Sequence, residues 1–515
     1  MNSMSGNSGD SHRDELEIDT DNDSDSDSDS DGDGDDLEEA ITSNGGDRNR
    51  FFDAPRGNER GSGRVYAAVE VPEPDDETAP PGSDERSEPV LLECVDTEWF
   101  WPTQRSGKSW LDVYRAAPLS VLELTSYPLP PFPDGAQPGD VAWFEFGYDY
   151  SSGRDANARV YTSLYSPGAP VKVAFHEPRS WNWAGDGPMG GNGWLTAGMK
   201  QTSQDPASRG SAHLRRLLRQ LKRSAGVAVY DVGQGNCQAL LDEGGHVPLM
   251  YVDFGGGVLY NLKTFPKDFR GFCFTSQPLI ALSHWDWDHW SSAYRFPRAL
   301  DMDWVAPSVP HKPIQQAFAA DLYARGRLLV WDSSWPSELR GGSVRIERCT
   351  GRTTNDSGLA VTLYSGALRS RNCLLPGDAG YKYIPSVAAA EKFSALCMSH
   401  HGGRLHSASY PSPKRNAIAV NSSGPRNSYK HPLFATLVSH LDARWPMPAQ
   451  TGFSGQRPCH VFLPWGKEPH LFHGGCHGDM CSVAIAEIAP HCASISVLAH
   501  PTPSKAKTAM TLVSA

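Results

Sequence analysis

No run of 18 or more apolar residues occurs in this 515-residue chain, so no membrane-spanning helix is expected. The start, Met1-Asn2-Ser3-Met4-Ser5, has no basic segment leading into an apolar one, and no secretory signal is read there. Cysteine is sparse. The 10 residues lie at irregular intervals, unlike the dense framework of a small secreted domain, which points to a reducing, cytoplasmic setting. A phosphate-binding loop is missing as well: Ser106-Gly107-Lys108-Ser109 has the right ending, but Pro102 stands where the motif needs glycine. Basic residues are scarce at one end only. Residues 1–90 hold 7 Lys/Arg against 27 Asp/Glu, a balance of -20, which leaves +7 on the other 425 residues. The overall charge of -13 therefore belongs to the first stretch, and a mildly basic body tolerates a polyanionic substrate without demanding one.

Three regions follow from these shifts in composition. Residues 1–89 are rich in Asp, Ser, Gly and Pro, with a nearly alternating Asp-Ser run from Asp19 to Asp36, and read as a disordered acidic tail. Such a tail keeps a protein soluble; its other reading is a lure or mimic for basic partners. Residues 90–210 bring frequent Trp and Pro with short alternating runs such as Val141–Phe146 and Pro170–Phe175, and read as a β-rich accessory region. Residues 211–515 form the main domain, with its motifs between 226 and 445. It opens on a helix over 211–223, whose Leu214, Leu217, Leu218 and Leu221 make one apolar stripe. Arg215, Arg216, Arg219, Lys222 and Arg223 cover its other faces, as phosphate contacts or as a solvated surface.

The main domain is organised around Leu282-Ser283-His284-Trp285-Asp286-Trp287-Asp288-His289-Trp290. Two histidines and two carboxylates fall within six residues, directly after the apolar strand Pro278–Leu282. That mixed nitrogen and oxygen set is what divalent transition metals prefer. The pattern recurs. Strands predicted over 372–375, 395–398 and 417–420 run into Pro376-Gly377-Asp378, Ser399-His400-His401-Gly402 and Asn427-Ser428-Tyr429-Lys430-His431-Pro432. Four strand ends bearing His or Asp suggest a site built along one edge of the sheets. Further strands are expected at 227–232, 239–241, 249–253, 327–331, 344–347 and 359–364, and helices at 313–325 and 386–394. Beyond 459 the residues Cys459, His460, His470, His473, Cys476, His477 and Cys481 lack the C-x2-C pair of a structural zinc, and strands are expected at 482–486 and 493–498.

His284-x-Asp286-x-Asp288-His289 resembles the H-x-[HD]-x-D-H signature of the metallo-β-lactamase fold. The order Asp231–Gly235, Ser283–His289, Asn355–Leu359, Gly377–Gly380, His400–Gly402 and Asn427–Pro432 is similar to the soluble domain of ComEC-type DNA-uptake proteins. Trp290-Ser291-Ser292 replaces the glycines usual after the D-H pair, and Gly358 interrupts the Asn-Asp-x-Ser-Leu element. The resemblance covers about residues 226–445 and carries no transport function with it. It implies an α/β fold, an αββα sandwich holding two divalent ions, Zn2+ or Mn2+. By resemblance His284 and Asp286 hold one ion and Asp288 and His289 the other, Asp378 bridges, and one of His400 and His401 with His431 completes the shell or moves protons. Asp286 stands where many relatives place His, a harder ligand that leans toward manganese. Asp231 is assigned to holding its loop, His406 to the surface, and Trp285 and Trp287 to packing behind the ligands. The activity implied is hydrolysis, first of phosphodiesters such as DNA, with Asp288, His400 and His431 taking part. Its rivals are a small ester, lactone or amide hydrolase and a non-catalytic binding module with a structural metal.

Overall fold

The apolar runs pair as strands in the computed structural model, which describes residues 62–472 apart from 73–88, 100–116, 126–128, 133, 152–154, 177–209, 309–311, 367–369, 406–408 and 453–456. Ser62–Glu70 (β1), Val90–Asp96 (β2), Leu119–Leu124 (β3), Val141–Tyr150 (β4), Ala158–Tyr161 (β5) and Ala169–His176 (β6) close into a barrel. Its order is β1-β2-β3-β5-β6-β4. Side chains alternate along these strands. Val65, Ala67, Leu92, Phe144, Phe146 and Val171 fill the barrel, while Tyr66, Val95, Leu119, Val121 and Tyr161 turn outward onto the main body. Strand β1 corrects the sequence reading. Composition places residues 62–70 in the acidic tail, yet Val65-Tyr66-Ala67-Ala68-Val69 is buried and pairs with both β2 and β4.

The main body has two sheets. The first strands are Gly226–Val229 (β7), Gln238–Leu241 (β8), Pro248–Val252 (β9), Leu279–Ala281 (β10), Trp304–Pro307 (β11) and Leu328–Trp331 (β12). Then come Glu338–Gly341 (β13), Val344–Arg348 (β14), Leu359–Tyr364 (β15), Asn372–Leu375 (β16), Lys392–Cys397 (β17), Ser412–Asn421 (β18) and Ala449–Gln450 (β19). His460–Pro464 (β20) and His470–Phe472 (β21) return to the first sheet. Its order is β12-β11-β10-β9-β8-β7-β20-β21, and the second sheet runs β13 to β19 in sequence. Both are mixed: β9 to β12 and β16 to β19 are parallel runs. The helix expected at 386–394 is a short turn of helix at Pro385–Ala388, because Phe393 and Ser394 belong to β17.

Facing residues from both sheets share one core, with Val227, Val229, Met250, Val252 and Val305 against Ile346, Val361, Leu363, Cys373 and Leu375. The intervening residues point the other way. Ala228, Tyr251 and Ile280 pack with helix Pro313–Ala324, and Leu374, Leu396 and Ala419 pack with Tyr381 and Trp445. Burial on both faces explains why these strands read as unbroken apolar runs. The basic helix forms over Ser211–Gln220, with Leu214 and Leu218 buried in the core between the sheets and its arginines exposed. It lies so close on β13 that a side chain at Gly341 would meet the Leu218 Cβ at 2.6 Å. Six described cysteines are free and buried, whereas Cys273 is disulfide-bonded. No described helix is long and apolar enough to cross a membrane.

The barrel docks through polar groups as well as its apolar face. Glu93 on β2 is 2% exposed. It accepts hydrogen bonds from the N–H groups of Ile314 (2.7 Å) and Gln315 (3.3 Å) and from Trp287 Nε1 (3.1 Å). It thereby caps the start of helix Pro313–Ala324 from another domain. Burial raises its pKa to about 7, against the pull of Lys312 and the two N–H donors. Glu70 on β1 accepts from the N–H and hydroxyl of Thr354 and pairs with Lys312 at 3.0 Å. Replacing Glu93 by Ala leaves three buried donors unpaired and should cost about 1–3 kcal/mol in urea unfolding. Deleting residues 1–59 should leave the melting temperature nearly unchanged, whereas deleting 1–89 removes β1 and should lower it sharply.

Candidate metal centre

The polar loops leave the sheets where parallel strands end. Strands β9 and β10 lie side by side, so Asp253 and the 283–289 loop emerge together, and β16, β17 and β18 bring out Asp378, His401 and Ser422. Two sets of side chains converge: His284, His289 and Asp378, and Asp288, His289 and His401. Within each set the candidate ligand atoms all lie within 4.8 Å of one another. His289 is shared. Its Nε2 stands 3.2 Å from Asp378 Oδ1 and 3.8 Å from Asp288 Oδ1, and His401 Nε2 lies 3.1 Å from Asp288 Oδ2.

The orientation of each ring is fixed from behind. His289 Nδ1 lies 2.8 Å from Asp253 Oδ2, and His401 Nδ1 lies 2.8 Å from the Ser422 carbonyl. Ser283 Oγ donates to Asp253 Oδ2 at 2.8 Å and sits 3.1 Å from His284 Nδ1. An Nδ1–H given to a carboxylate or carbonyl leaves Nε2 with its lone pair facing inward. The Nε2 atoms of His284, His289 and His401, with Asp378 Oδ1, are buried and make no well-directed hydrogen bond. A buried polar atom without such a bond is costly, and mixed imidazole and carboxylate donors of this kind fit divalent ions. The carboxylates also attract positive charge to this point, whether a proton on His289 or a bound cation that would displace it. Burial opposes charge throughout, but the carboxylates Asp378, Asp253 and Asp288 hold the His289 pKa well above its usual range. The imidazoles hold Asp378 well below its own, again against the effect of burial.

Close backbone approach shapes the loops. A Cβ on Gly255 would fall 1.6 Å from the Asp288 carbonyl oxygen, and one on Gly358 would fall 2.3 Å from that of Ser283. Gly358 is thus where the second sheet touches the 283–289 loop, and the Leu359 N–H donates to the Ser283 carbonyl there at 2.7 Å. His400 and His401 both take left-handed backbone, φ 52° and 53°, uncommon for residues other than glycine and frequent at functional sites. That turn separates the vicinal pair: His401 is 1% exposed inside the cluster, and His400 is 28% exposed at its edge, with Nε2 3.9 Å from Asp378 Oδ2.

The remaining expected residues fall around this cluster. Asp286 Oδ2 lies 3.5 Å from His284 Nε2, but its Oδ1 faces Lys312 Nζ at 3.8 Å and Gln315 Nε2 at 3.4 Å. His431 is buried and its ring stacks on Tyr429, parallel to His401 at 6.4 Å between centroids. It belongs to neither converging set. Asp356 braces the loop after Asp378, accepting the Gly380 N–H at 2.7 Å. Asp231 holds Arg457 through both oxygens and accepts the Cys459 N–H, consistent with its assigned role. Trp285 is fully buried, while Trp287 reaches Glu93. His460 accepts the Asp231 N–H and packs on Tyr230 and Phe472 as a core residue. His406, His473, Cys476, His477, Cys481 and the two last expected strands lie outside the described residues. Asp253 was missed. Its signal was present, an aspartate closing an apolar strand before Gly255-Gly256-Gly257.

No family model matches this sequence, and no curated protein does. Among solved structures the chain is similar to metallo-β-lactamase fold proteins. It is 15% identical to YhfI from Bacillus subtilis over 33% of this chain and 71% of that one, with a TM-score of 0.23. Zn2+-bound PqqB from Methylobacterium extorquens is 7% identical over 34% and 72%, TM-score 0.22. A B3 metallo-β-lactamase with an active-site glutamic acid is 14% identical over 46% and 79%, TM-score 0.20. Superpositions this loose leave the reading of the site to its own residues.

Two substitutions separate the roles of these residues. His401→Ala should lose bound metal by mass spectrometry, whereas His400→Ala should keep it. Asp253→Asn, which weakens the hold on His289, should lower metal affinity by roughly 10–100-fold in chelator competition.

Proposed function

We propose that this protein is a metal-dependent hydrolase on an αββα metallo-β-lactamase scaffold, and that it cleaves phosphodiesters, DNA or another nucleotide polymer included. The observation that carries the reading is the pair of converging ligand sets sharing His289, with inward-facing Nε2 atoms that make no well-directed hydrogen bond. The ordered likeness to the ComEC-type domain and the basic balance of residues 91–515 favour a phosphorylated substrate.

His284, His289, Asp288, Asp378 and His401 would hold two divalent ions, Zn2+ or Mn2+, with Asp286 at the rim. Such ions supply Lewis acidity and ionise water near neutral pH. The other steps belong to side chains. Asp253 and the Ser422 carbonyl keep His289 and His401 in one tautomer. His400, partly exposed beside Asp378, is placed to pass a proton to a departing oxygen. His431 lies one ring behind it, at 5.5 Å between centroids, and supports that position.

A second reading has one observation in its favour. The cavity beside Asp378 and His400 has a volume of about 240 Å³, below the ~300–1,000 Å³ of typical ligand pockets, which suits a small ester or lactone, or a single nucleotide unit. Purified protein should cleave single-stranded DNA or bis(4-nitrophenyl) phosphate in the presence of Mn2+ or Zn2+ but not of chelator. Asp288→Ala should fall to background. His400→Ala should lose about 100-fold in kcat with metal retained. Metal binding without cleavage of either phosphodiester would overturn the phosphodiesterase reading, and turnover of lactones or esters would then select the second.

A further inference from the structure

Strand β15 separates two chemically different ends of the main body. It starts at Leu359, against the 283–289 loop, and ends at Tyr364, whose N–H donates to the Ser343 carbonyl at 2.8 Å. Its six residues put those ends about 17 Å apart. Lys222 belongs to the far end, where its carbonyl accepts the Ser343 hydroxyl at 2.8 Å. The basic helix Ser211–Gln220 thus runs out at the end of the sheets opposite the ligand cluster.

Part of its charge is committed. Arg216 Nη2 lies 2.8 Å from His213 Nδ1, and Arg223 pairs with Glu243 at 3.2 Å. Arg215, Arg219 and Lys222 are exposed, and their side chains meet no salt-bridge or hydrogen-bond partner among the described residues. Arg215 and Arg219, four apart, share one face of the helix. Two further cations extend the patch. A Cβ on Gly366 would lie 3.6 Å from the Lys222 carbonyl oxygen, and next to it the Ser365 N–H donates to the Arg371 carbonyl at 3.1 Å. Lys414 Nζ donates to the Ser370 carbonyl at 3.4 Å. Partial burial and Arg371 lower the Lys414 pKa against the pull of Glu391, a carboxylate already held by Arg345 at 2.6 Å. Cations gathered at one end repel one another, and a polyanion laid across them relieves that repulsion.

The chain carries such a polyanion. Residues 19–39 hold 12 Asp/Glu and no Lys/Arg. Drawn out, an alternating Asp run repeats its carboxylates every ~6.8 Å, close to the ~6 Å rise between helix residues four apart. Residues 40–61 join this run to β1. That tether of 22 residues reaches at most about 75 Å, whereas a compact body of about 400 residues has a radius of gyration near ~21 Å.

We infer that residues 19–39 dock on the basic end formed by Arg215, Arg219, Lys222, Arg371 and Lys414, away from the ligand cluster. A nucleic-acid backbone offers similar charge, but the tether gives the chain's own segment a standing effective concentration that a free polyanion lacks. The inference is independent of the hydrolytic reading, since it involves no residue of the 284–289 loop.

Full-length protein is treated at low salt with a water-soluble carbodiimide, which joins a carboxylate to a lysine amine in contact with it, and the monomer is analysed by peptide mass spectrometry. Links from residues 19–39 to Lys222 or Lys414 should outnumber those to Lys263, exposed on the turn after β9, by about fivefold or more. About 0.5 M salt should abolish that excess. In the double variant Arg215→Gln, Arg219→Gln both lysines remain, and the links should fall by about fivefold, with circular dichroism unchanged. Absence of the links overturns the inference. So do links spread evenly over the lysines, links found only in dimers, or links that survive both salt and the double substitution. A labelled single-stranded oligonucleotide is then titrated. Binding that the double variant loses, in protein that forms no tail links, assigns the basic end to nucleic acid instead.

Discussion

The contact between Asp253 and His289 fixes the geometry of everything else in the centre. His289 belongs to both converging sets, so an error in its ring angle would be inherited by both. A fully buried carboxylate behind it gives the imidazole one orientation, and Ser283, bonded to the same carboxylate, carries the constraint to His284. The fold supplies this at little cost. Strands β9 and β10 run parallel, so the residues just past their ends are neighbours, and the Gly255 backbone lets the metal loop lie directly on top. The opposite sheet repeats the device, with β17 and β18 delivering His401 beside the Ser422 carbonyl. Two parallel strand pairs, one in each sheet, thus face their ligands toward a common point.

The barrel extends this constraint outward. Two of its carboxylates, one buried and one half-buried, serve different ends of one network: Glu93 caps the helix that carries Gln315, and Glu70 holds Lys312 and the 353–356 loop. Gln315 and Lys312 both face Asp286. The barrel that sequence reading treats as an accessory therefore meets the 284–289 loop directly, through Glu93 and Trp287, and acts on Asp286 indirectly through Gln315 and Lys312. Burying Glu93 is electrostatically unfavourable, as its raised pKa shows, and three directed donors offset that cost.

Much of the centre was legible because ligand residues leave a compositional mark. His and Asp in a cluster at the end of an apolar run are rare enough to stand out, and three of the four strand ends so marked supply the converging sets, while His431 of the fourth stands beside them. The braces were harder to see. Asp253 is a single aspartate, and Ser422 acts through its carbonyl, which no residue type advertises. The sheets were legible from apolar runs, but the 386–394 segment misled: Ala388-Ala389-Ala390 favours helix by propensity, whereas the pairing of Phe393 with β18 makes it the lead-in to a strand. Strand β1 was hidden for a different reason. Its five apolar residues lie inside a stretch whose average is dominated by acid, and composition taken over 89 residues cannot register a segment of nine.

The position of Asp286 shows how these levels meet. It sits in the 284–289 loop, and its carboxylate faces two ways, toward His284 Nε2 and toward Lys312. Burial alone would disfavour its charge, but Lys312 and the imidazoles of His284 and His289 hold its pKa below the usual carboxylate range. Lys312 is in turn held by Glu70 of the barrel. Any ion that draws on Asp286 must therefore share that carboxylate with a lysine held by the barrel, while Asp288 in the other set faces the imidazoles of His289 and His401. The two halves of the cluster are chemically unequal, and the inequality is set where the barrel meets the two sheets rather than within the 284–289 loop itself.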